Sequence, residues 1–229
     1  MEKRGATNIE FVLAFVMFTG FVAAALYFFS PVKDTSSLES AKTYTIGEIT
    51  SNTSIEMDSY SVRIKSPIPD TIAVKVASIA PNKKARAEDY YGTAMPTKRD
   101  ADIVHFKPNG NDFAVIKFSE DFEDTSSDTA ALNENKYQIA SSAADRIISE
   151  KRILQLNKSY YEDYDALGKQ IGIPSNVDFS FSIEFKNGDM INAEMKSAAR
   201  AEIFSETKSV GVLRKNGATE FARLTVRVW

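Results

Sequence analysis

The 229-residue chain contains no cysteine and only one histidine, His105. Without cysteine it cannot form disulfides, thiolate metal sites or a cysteine nucleophile, although export does not require disulfides. A single histidine rules out a histidine-rich metal site within one subunit, and its alternation with Ile103 on a predicted strand favours a packed or surface side chain over a catalytic base. The sequence also lacks a phosphate-binding glycine loop, a GxSxG motif and an HExxH motif. We therefore expect no enzymatic activity, no cofactor and no metal site.

Basic residues are in slight deficit. The formal net charge is −3, and from Asp34 onward 25 basic and 29 acidic residues give 25 − 29 = −4. Because nucleic-acid binding needs a basic surface, we expect no nucleic-acid partner. The acidic, serine-rich residues 120–128 lack the DxDxDG spacing of a calcium loop, so they predict a solvated linker rather than a calcium site.

An uncharged apolar run occupies residues 11–29. As a helix with a rise of about 1.5 Å per residue, it roughly matches a hydrocarbon core of about 30 Å. The sequence therefore predicts a transmembrane and assembly helix over residues 6–30, ended by Pro31. Lys3 and Arg4 place the N-terminus in the cytoplasm and the rest of the chain outside. A secretory signal peptide is the alternative interpretation of this segment.

Glu10 lies at the start of the apolar run, where a carboxylate is costly to place. The surrounding sequence, KRG-ATNIEF, resembles the type IV prepilin signal, particularly its archaeal class III form. In that family a short basic leader ends in Gly, and a Glu occupies the fifth position of the mature chain. The resemblance implies that a prepilin peptidase cuts between Gly5 and Ala6, after a cytoplasmic leader of residues 1–5. Ala6 departs from the family, because bacterial pilins usually begin with Phe and many archaeal signals have Gln there.

Cleavage after Gly5 would create an ammonium group at Ala6. Inside a bundle of apolar helices an unpaired carboxylate is strongly penalised, whereas a paired one is tolerated. We hypothesise that Glu10 pairs with the Ala6 amine of a neighbouring subunit and so sets the stagger of a filament. The alternative is that Glu10 only extends to the membrane headgroups.

The family resemblance also implies partners and a location. The partners are the prepilin peptidase, other pilin subunits, a pilus assembly ATPase with its membrane platform, and membrane lipid. The location is the cell membrane, with a single pass and an extracellular head, or a surface filament.

The remainder of the chain predicts an extracellular head. Residues 31–56 are rich in Ser and Thr and predict a stalk, or a weak strand centred on residues 44–49. The head itself, residues 57–229, alternates strand and turn signals, with subdomains 57–128 and 129–229 as one option. We therefore predict an α+β fold, in which an N-terminal transmembrane helix precedes a mainly antiparallel β head with one or two helices, as in pilins.

Within the head, alternating apolar residues and turn signals predict strands. They are residues 60–65 and 71–79, a hairpin of 102–107 with 113–118, a hairpin of 177–185 with 190–195, and a hairpin of 202–213 with 219–228. In the last hairpin, Asn216-Gly217 favours a type I′ turn. Helical spacing predicts helices over residues 137–156 and 160–171, the second ended by Gly172. Tyr160 and Tyr164 in that helix favour a packing surface over a binding site.

Asn52 and Asn157 fit the Asn-x-Ser/Thr acceptor pattern and are candidate glycosylation sites on an extracellular head. The function that the sequence favours is a structural subunit, minor or adaptor, of a type IV pilus-like filament. A major subunit is disfavoured because the large head and the missing helical spine suit dense repetition poorly. Two other classes stay open: an anchored extracellular binding protein that does not polymerise, and an anchored extracellular hydrolase.

Overall fold

The computed structural model describes residues 4–29, 35–123, 125–194 and 202–229, with the side chains of residues 9–25 and of the described residues from 38 onward. The chain forms two compact units, Met1–Leu38 and Glu39–Trp229. The predicted boundaries at residues 5, 30, 56 and 128 stay predictions.

The first unit contains helix α1, which extends from Arg4 to Phe29. The segment has no proline and contains five alanines, the residue that most favours helix. Its one side-chain hydroxyl in the described range is satisfied locally, because Thr19 Oγ1 donates to the Phe15 carbonyl at 2.8 Å. The predicted helical character of this segment is therefore confirmed.

Among the residues that the structure describes, no helix combines the length and the apolar character that crossing a membrane requires. The predicted transmembrane helix over residues 6–30 is wrong on this finding.

Helix α2 extends from Thr35 to Thr53, and from Glu39 onward it belongs to the second unit. The predicted strand around residues 44–49 is therefore wrong. One face of the helix is buried, with Thr45 and Ile49 both 0% exposed. Ser and Thr usually disfavour helices because their hydroxyls compete for backbone groups. Here those hydroxyls bond within the helix, as Thr45 Oγ1 does to the carbonyl of Ala41 at 2.7 Å.

The other described elements follow α2 in the second unit. In chain order they are β1 (Ser54–Ile64), β2 (Ile72–Lys75), β3 (Lys84–Glu88), β4 (Ala94–Met95), β5 (Thr97–Asp100), β6 (Ile103–Phe106), β7 (Phe113–Ser119), a 3₁₀ turn (Glu134–Lys136), β8 (Tyr137–Ser149), α3 (Glu150–Glu162), α4 (Tyr164–Gln170), β9 (Phe179–Phe185), β10 (Met190–Ala193), β11 (Phe204–Leu213) and β12 (Thr219–Val228).

These strands form two sheets. Nine of them make a long sheet in the order β10-β9-β12-β11-β8-β1-β7-β3-β4, and the other three make a small sheet in the order β2-β6-β5. Neighbouring strands are antiparallel except β8 and β11, which run parallel and pair only at their ends, Val212 with Ile148 and Leu213 with Ser149. The predicted fold class is thereby corrected, because the described residues form an α+β fold with four helices and a large mixed sheet.

The predicted hairpin of residues 102–107 with 113–118 is wrong, although both strands exist. Strand β6 pairs with β2 and β5 in the small sheet, whereas β7 pairs with β1 and β3 in the long one. The loop between them has positive φ at Asn109 and Gly110, as a tight turn would. The two strands instead face each other across one core, in which Phe106 and Ile116 are both 0% exposed.

The predicted helix over residues 137–156 is a strand up to Ser149 and a helix only afterwards. Alanines and isoleucines at spacings of three and four imitate a helical stripe here. Pairing with β1 along Ser54–Ile64 nevertheless determines the conformation, because tertiary pairing outweighs local spacing. Ser149 then begins α3, and its Oγ accepts a hydrogen bond from Arg152 N at 3.4 Å.

The C-terminal hairpins are confirmed: β9 pairs with β10, and β11 with β12. The predicted type I′ turn between β11 and β12 is wrong. Of its residues, all of which the structure describes, only Gly217 has positive φ, at 82°. Its N–H donates to the Arg214 carbonyl at 2.8 Å. A single glycine in the left-handed region at the end of the loop is typical of a three-residue hairpin connection, not of a type I′ turn.

Two hydrophobic cores cover one face of the long sheet. The first includes Ile148 of β8 and the inward side chains of β9, β12, α2, α3 and α4. The second includes Val62 of β1 and the small sheet. Ile148 pairs with Ser54, and residues 54 and 62 of β1 point to the same side because strand side chains alternate. Helices therefore cover one half of that face and the small sheet the other.

Candidate assembly site

Helix α1 exposes large apolar side chains around its whole circumference. Nine of them are at least 60% exposed: Ile9, Phe11, Val12, Leu13, Phe15, Val16, Met17, Phe18 and Phe21. Successive helical residues are separated by about 100°, so the side chains at these nine positions point to all sides of the helix and leave no polar face. Such a helix is expected where another apolar surface surrounds it.

Glu10 is the one charged side chain among residues 9–25, and it is exposed. The other described polar group, the Thr19 hydroxyl, already has its backbone acceptor. Glu10 is therefore the group in this stretch that most needs a partner of opposite charge once the helix is buried. Gly20, about three turns further on, has open space where a side chain would begin.

The predicted processing residues lie next to this acid. Lys3 is outside the described residues. Arg4, Gly5 and Ala6 form the start of α1. The Gly5–Ala6 bond thus lies in the first helical turn, where backbone N–H groups have no helical partner and the helix frays most readily.

The candidate glycosylation residues lie on two different helices, α2 and α3. Asn52 is exposed near the end of α2, and its Nδ2 donates to the Glu48 carbonyl at 2.9 Å. Asn157 is half-buried on α3, and its Nδ2 donates to the Asn192 carbonyl at 2.8 Å. Both amides would have to leave these bonds to carry a glycan.

His105 is buried on β6, at 6% exposure, which confirms the packed histidine. Its Nδ1 accepts a hydrogen bond from Ala130 N at 3.2 Å. Its Nε2 lies 3.5 Å from Asp100 Oδ2. Because Nδ1 is already an acceptor, the ring is held in place as a structural link between β6 and the segment before β8.

The tyrosines of α3 and α4 are confirmed as a packing surface. Tyr160 is 0% exposed and its hydroxyl donates to the Phe179 carbonyl at 2.8 Å. The Tyr164 hydroxyl accepts from Phe179 N at 2.8 Å and lies 3.0 Å from Asp178 Oδ1. Burial and the adjacent carboxylate raise the pKa of Tyr164 well above its usual value.

A cavity of about 720 Å³ beside the small sheet is lined by four basic side chains: Lys83, Lys84, Lys98 and Arg99. They are already engaged. Burial lowers the pKa of Lys83, but the hydrogen bond to Asp58 and the Asp58 and Glu56 carboxylates outweigh it and raise the pKa overall. Arg99 donates to the carbonyls of Ile79, Ala80, Lys83 and Ala101. These cations therefore bind the protein's own oxygens.

Within the described ranges, no three His, Asp or Glu side chains come together as a metal site would require. Three acidic residues of the 120–128 segment, Glu120, Asp121 and Asp128, form ion pairs. Asp121 is one of them, with Oδ2 3.6 Å from Arg152 Nε.

Sequence reasoning missed one surface feature. Residues 138–146 of β8 are all exposed, although they lie within a nine-stranded sheet. No local sequence signal indicates this exposure, because it arises from the tertiary structure: β11 pairs with β8 only at the end of the strand.

No protein-family model matches this chain, and comparison with curated proteins and with solved structures finds no significant match.

Proposed function

We propose that the protein is a structural subunit, of the minor or adaptor kind, of a type IV pilus-like surface filament. The observation that carries the proposal is α1: a 26-residue helix with exposed apolar side chains on every side and one acid near its start. In the filament, α1 packs against the α1 helices of other copies.

The size of the apolar surface supports burial of α1 in an assembly. Fully burying a Val, Leu, Ile, Phe or Met side chain is worth about 1.5–3 kcal/mol. For the nine exposed side chains this amounts to on the order of 15 kcal/mol. That is more than the whole stability of many domains, so the helix is expected to have a partner.

Glu10 gives such a bundle a defined register. Residues 6 and 10 are one helical turn apart, so pairing an N-terminal ammonium at Ala6 with the Glu10 carboxylate of a neighbouring copy requires the two helices to be shifted along the axis by about one turn. Two unit charges about 4 Å apart attract by about 4 kcal/mol at an effective dielectric constant near 20. An unmatched register would leave both charges buried and unpaired, which costs more than the pair contributes.

Helix α2 changes one part of the argument for a minor subunit. The sequence suggested that no helical spine follows the apolar run, yet α2 is a helix whose buried face packs into the first core. The minor or adaptor role therefore depends on the size of the head, which restricts how densely copies can repeat.

The test is the composition of filaments sheared from cells that express the chain with a small epitope tag. We expect the filament fraction to contain the chain with Ala6 as its first residue, by N-terminal mass spectrometry. Glu10→Gln should reduce incorporation at least tenfold. Glu39→Gln, which alters a 67% exposed acid on α2, is the matched control and should incorporate normally.

Two results would contradict the proposal. One is a natural product that still begins with Met1, since the ammonium at Ala6 would then never form. The other is a correctly cut chain found only in membranes, which would favour the anchored binding protein.

A further inference from the structure

Strand β8 has an open edge in the middle of the long sheet. On one side it pairs with β1 over Ser54–Ile64. On the other side β11 reaches only its last two residues, Ile148 and Ser149. Among the residues that the structure describes, the backbone of residues 138–146 therefore has a ladder partner on one side only, and every side chain there is exposed.

Proteins usually protect such edges with lysine, proline or a β-bulge, because an open edge pairs readily with another strand. The first part of the β8 edge has this protection: the pairing passes from Ser61–Ser141 to Val62–Ile139, which leaves Ala140 as a bulge. Residues 141–146, Ser-Ser-Ala-Ala-Asp-Arg, contain neither lysine nor proline and no bulge. Its charged side chains, Asp145 and Arg146, lie together at its end, so residues 141–144 are the least protected part of the edge.

The hydrogen bonds show which backbone groups face outward. Ser59, which pairs with Ala143, donates through Oγ to the Ala143 carbonyl at 3.4 Å. That carbonyl therefore points toward β1. Since alternate residues of an antiparallel strand point to opposite neighbours, the N–H and C=O groups of Ser142 and Ala144 point to the open edge.

We propose that this edge binds the same edge of a second copy, with the two β8 strands antiparallel and centred on Ala143. Ser142 of each copy then lies opposite Ala144 of the other, and the two outward-facing residues exchange backbone hydrogen bonds. Ser141 lies opposite Asp145, where its hydroxyl can donate to the carboxylate.

The edge is complementary to itself, and this favours a second copy over an unrelated strand. The centre of the paired stretch is Ala opposite Ala, so nothing bulky separates the backbones. In this register neither Asp145 nor Arg146 lies opposite the same residue of the other copy, so no like charges face each other across the strand pair. The stretch ends where the bulge at Ala140 interrupts the ladder, which limits slippage to other registers.

This pairing is separate from the proposed assembly through α1 and does not depend on it. A five-residue strand pair buries less than the roughly 1,000 Å² of a stable interface, so one contact is weak. A two-fold contact cannot repeat between subunits that all point the same way along one polar filament. It would join heads of different filaments, where many weak contacts act together.

The absence of native cysteine allows a direct test with single thiols in the full-length chain in detergent. Ala143→Cys places the thiol where two copies face each other in a non-hydrogen-bonded pair, with Cα atoms about 4.5 Å apart, within disulfide range. Arg223→Cys is the control: that side chain is exposed, but β12 has partners on both sides. Under mild oxidation, Ala143→Cys should form disulfide-linked dimer at least tenfold faster than Arg223→Cys.

A second change blocks the edge without altering the residues that face β1. Adding Ser142→Lys to Ala143→Cys puts lysine, the residue that proteins most often use to block edge pairing, on the paired stretch of both copies and should slow cross-linking at least tenfold. Unfolding followed by fluorescence of the single tryptophan, Trp229, should be unchanged. Equal rates for Ala143→Cys and Arg223→Cys, or a rate unaffected by Ser142→Lys, would overturn the proposal. Association through α1 alone would give equal rates.

Discussion

Helix α2 provides the sharpest test of the architecture, because the sequence suggested a stalk where the structure has a docked helix. Ile49 is 0% exposed and belongs to the first core. Ile49→Ala removes three carbons from that core. At about 0.8 kcal/mol for each, the loss of transfer free energy is about 2.4 kcal/mol. The cavity left behind adds to this, so we expect a destabilisation of about 3 kcal/mol.

The measurement is urea unfolding of the full-length chain in detergent. Trp229 is the only tryptophan, and its backbone N–H and carbonyl each bond to Asp178 at 3.0 Å. Its fluorescence therefore reports on the sheet against which α2 packs. With an m-value of about 2.5 kcal/mol/M, a loss of about 3 kcal/mol lowers the midpoint by about 1.2 M.

Gly47→Ala on the same helix is the matched control. A methyl group at Gly47 meets nothing within 4 Å, and alanine favours helix over glycine by about 1 kcal/mol. We expect this change to raise the midpoint by up to about 0.4 M. If Ile49→Ala shifted the midpoint no more than an exposed substitution does, α2 would not be docked on the head and the fold described here would be wrong at this element.

Three further substitutions test other parts of the head by the same unfolding measurement. Gly172→Ala should lower the free energy of unfolding by about 1–2 kcal/mol. Gly172 ends α4 with a φ of 72°, and a methyl group there would lie 2.5 Å from the Tyr44 hydroxyl. An unchanged free energy of unfolding would contradict the left-handed conformation at this helix end. Arg99→Gln should lower the free energy of unfolding by about 3 kcal/mol, because it leaves several backbone carbonyls without their charged donor. A decrease below about 1 kcal/mol would mean that those hydrogen bonds contribute little to stability. Lys83→Met should remove the contribution of the Lys83–Asp58 ion pair to the free energy of unfolding. Because the pKa of Lys83 is raised in the folded protein, this contribution is fully present below about pH 10.5 and is lost as the pH rises through the higher pKa of the folded state. The stability difference between wild type and Lys83→Met should therefore shrink above pH 10.5, and a constant difference would contradict this ion pair.

The C-terminal strands could be predicted because their signals are local. In β9, Phe179, Phe181 and Ile183 alternate with polar residues and all three are buried. Glycine supplies the turns on both hairpins, with positive φ at Gly188 and Gly217. Alternation and turn residues agree here with the tertiary pairing, so local reasoning was sufficient.

The failures occur where long-range pairing decides the structure. Residues 137–149 have helical spacing, yet β1 supplies a continuous hydrogen-bonding partner, and that partner is more than 70 residues away for most of the strand. Asn109 and Gly110 form a turn as expected, but each flanking strand finds its neighbours in a different sheet. In both cases the sequence indicates a local conformation and contains no information about which strand arrives beside it.

The candidate assembly site shows a different limit. The apolar run and Glu10 were evident from the sequence, and α1 places them on one helix. Their role depends on other copies of the chain, so neither the sequence nor one folded copy determines it. The open edge of β8 was invisible at the sequence level for the same reason that β8 was mispredicted.

The division into two units has a consequence for how mutations should act. The head has its own cores, with Ile49, Tyr160 and Phe106 fully or almost fully buried within residues 39–229. The described members of those cores all belong to the second unit, from Ile46 onward, and Glu10 belongs to the first. Substitutions that share no interaction partners act nearly independently on stability. Changes at Glu10 should therefore alter assembly while leaving head unfolding unchanged, and changes at Ile49 should do the reverse. A mutation in either unit that altered both would show that assembly and folding of the head are coupled, and the α1 bundle could then no longer be treated as a separate interaction.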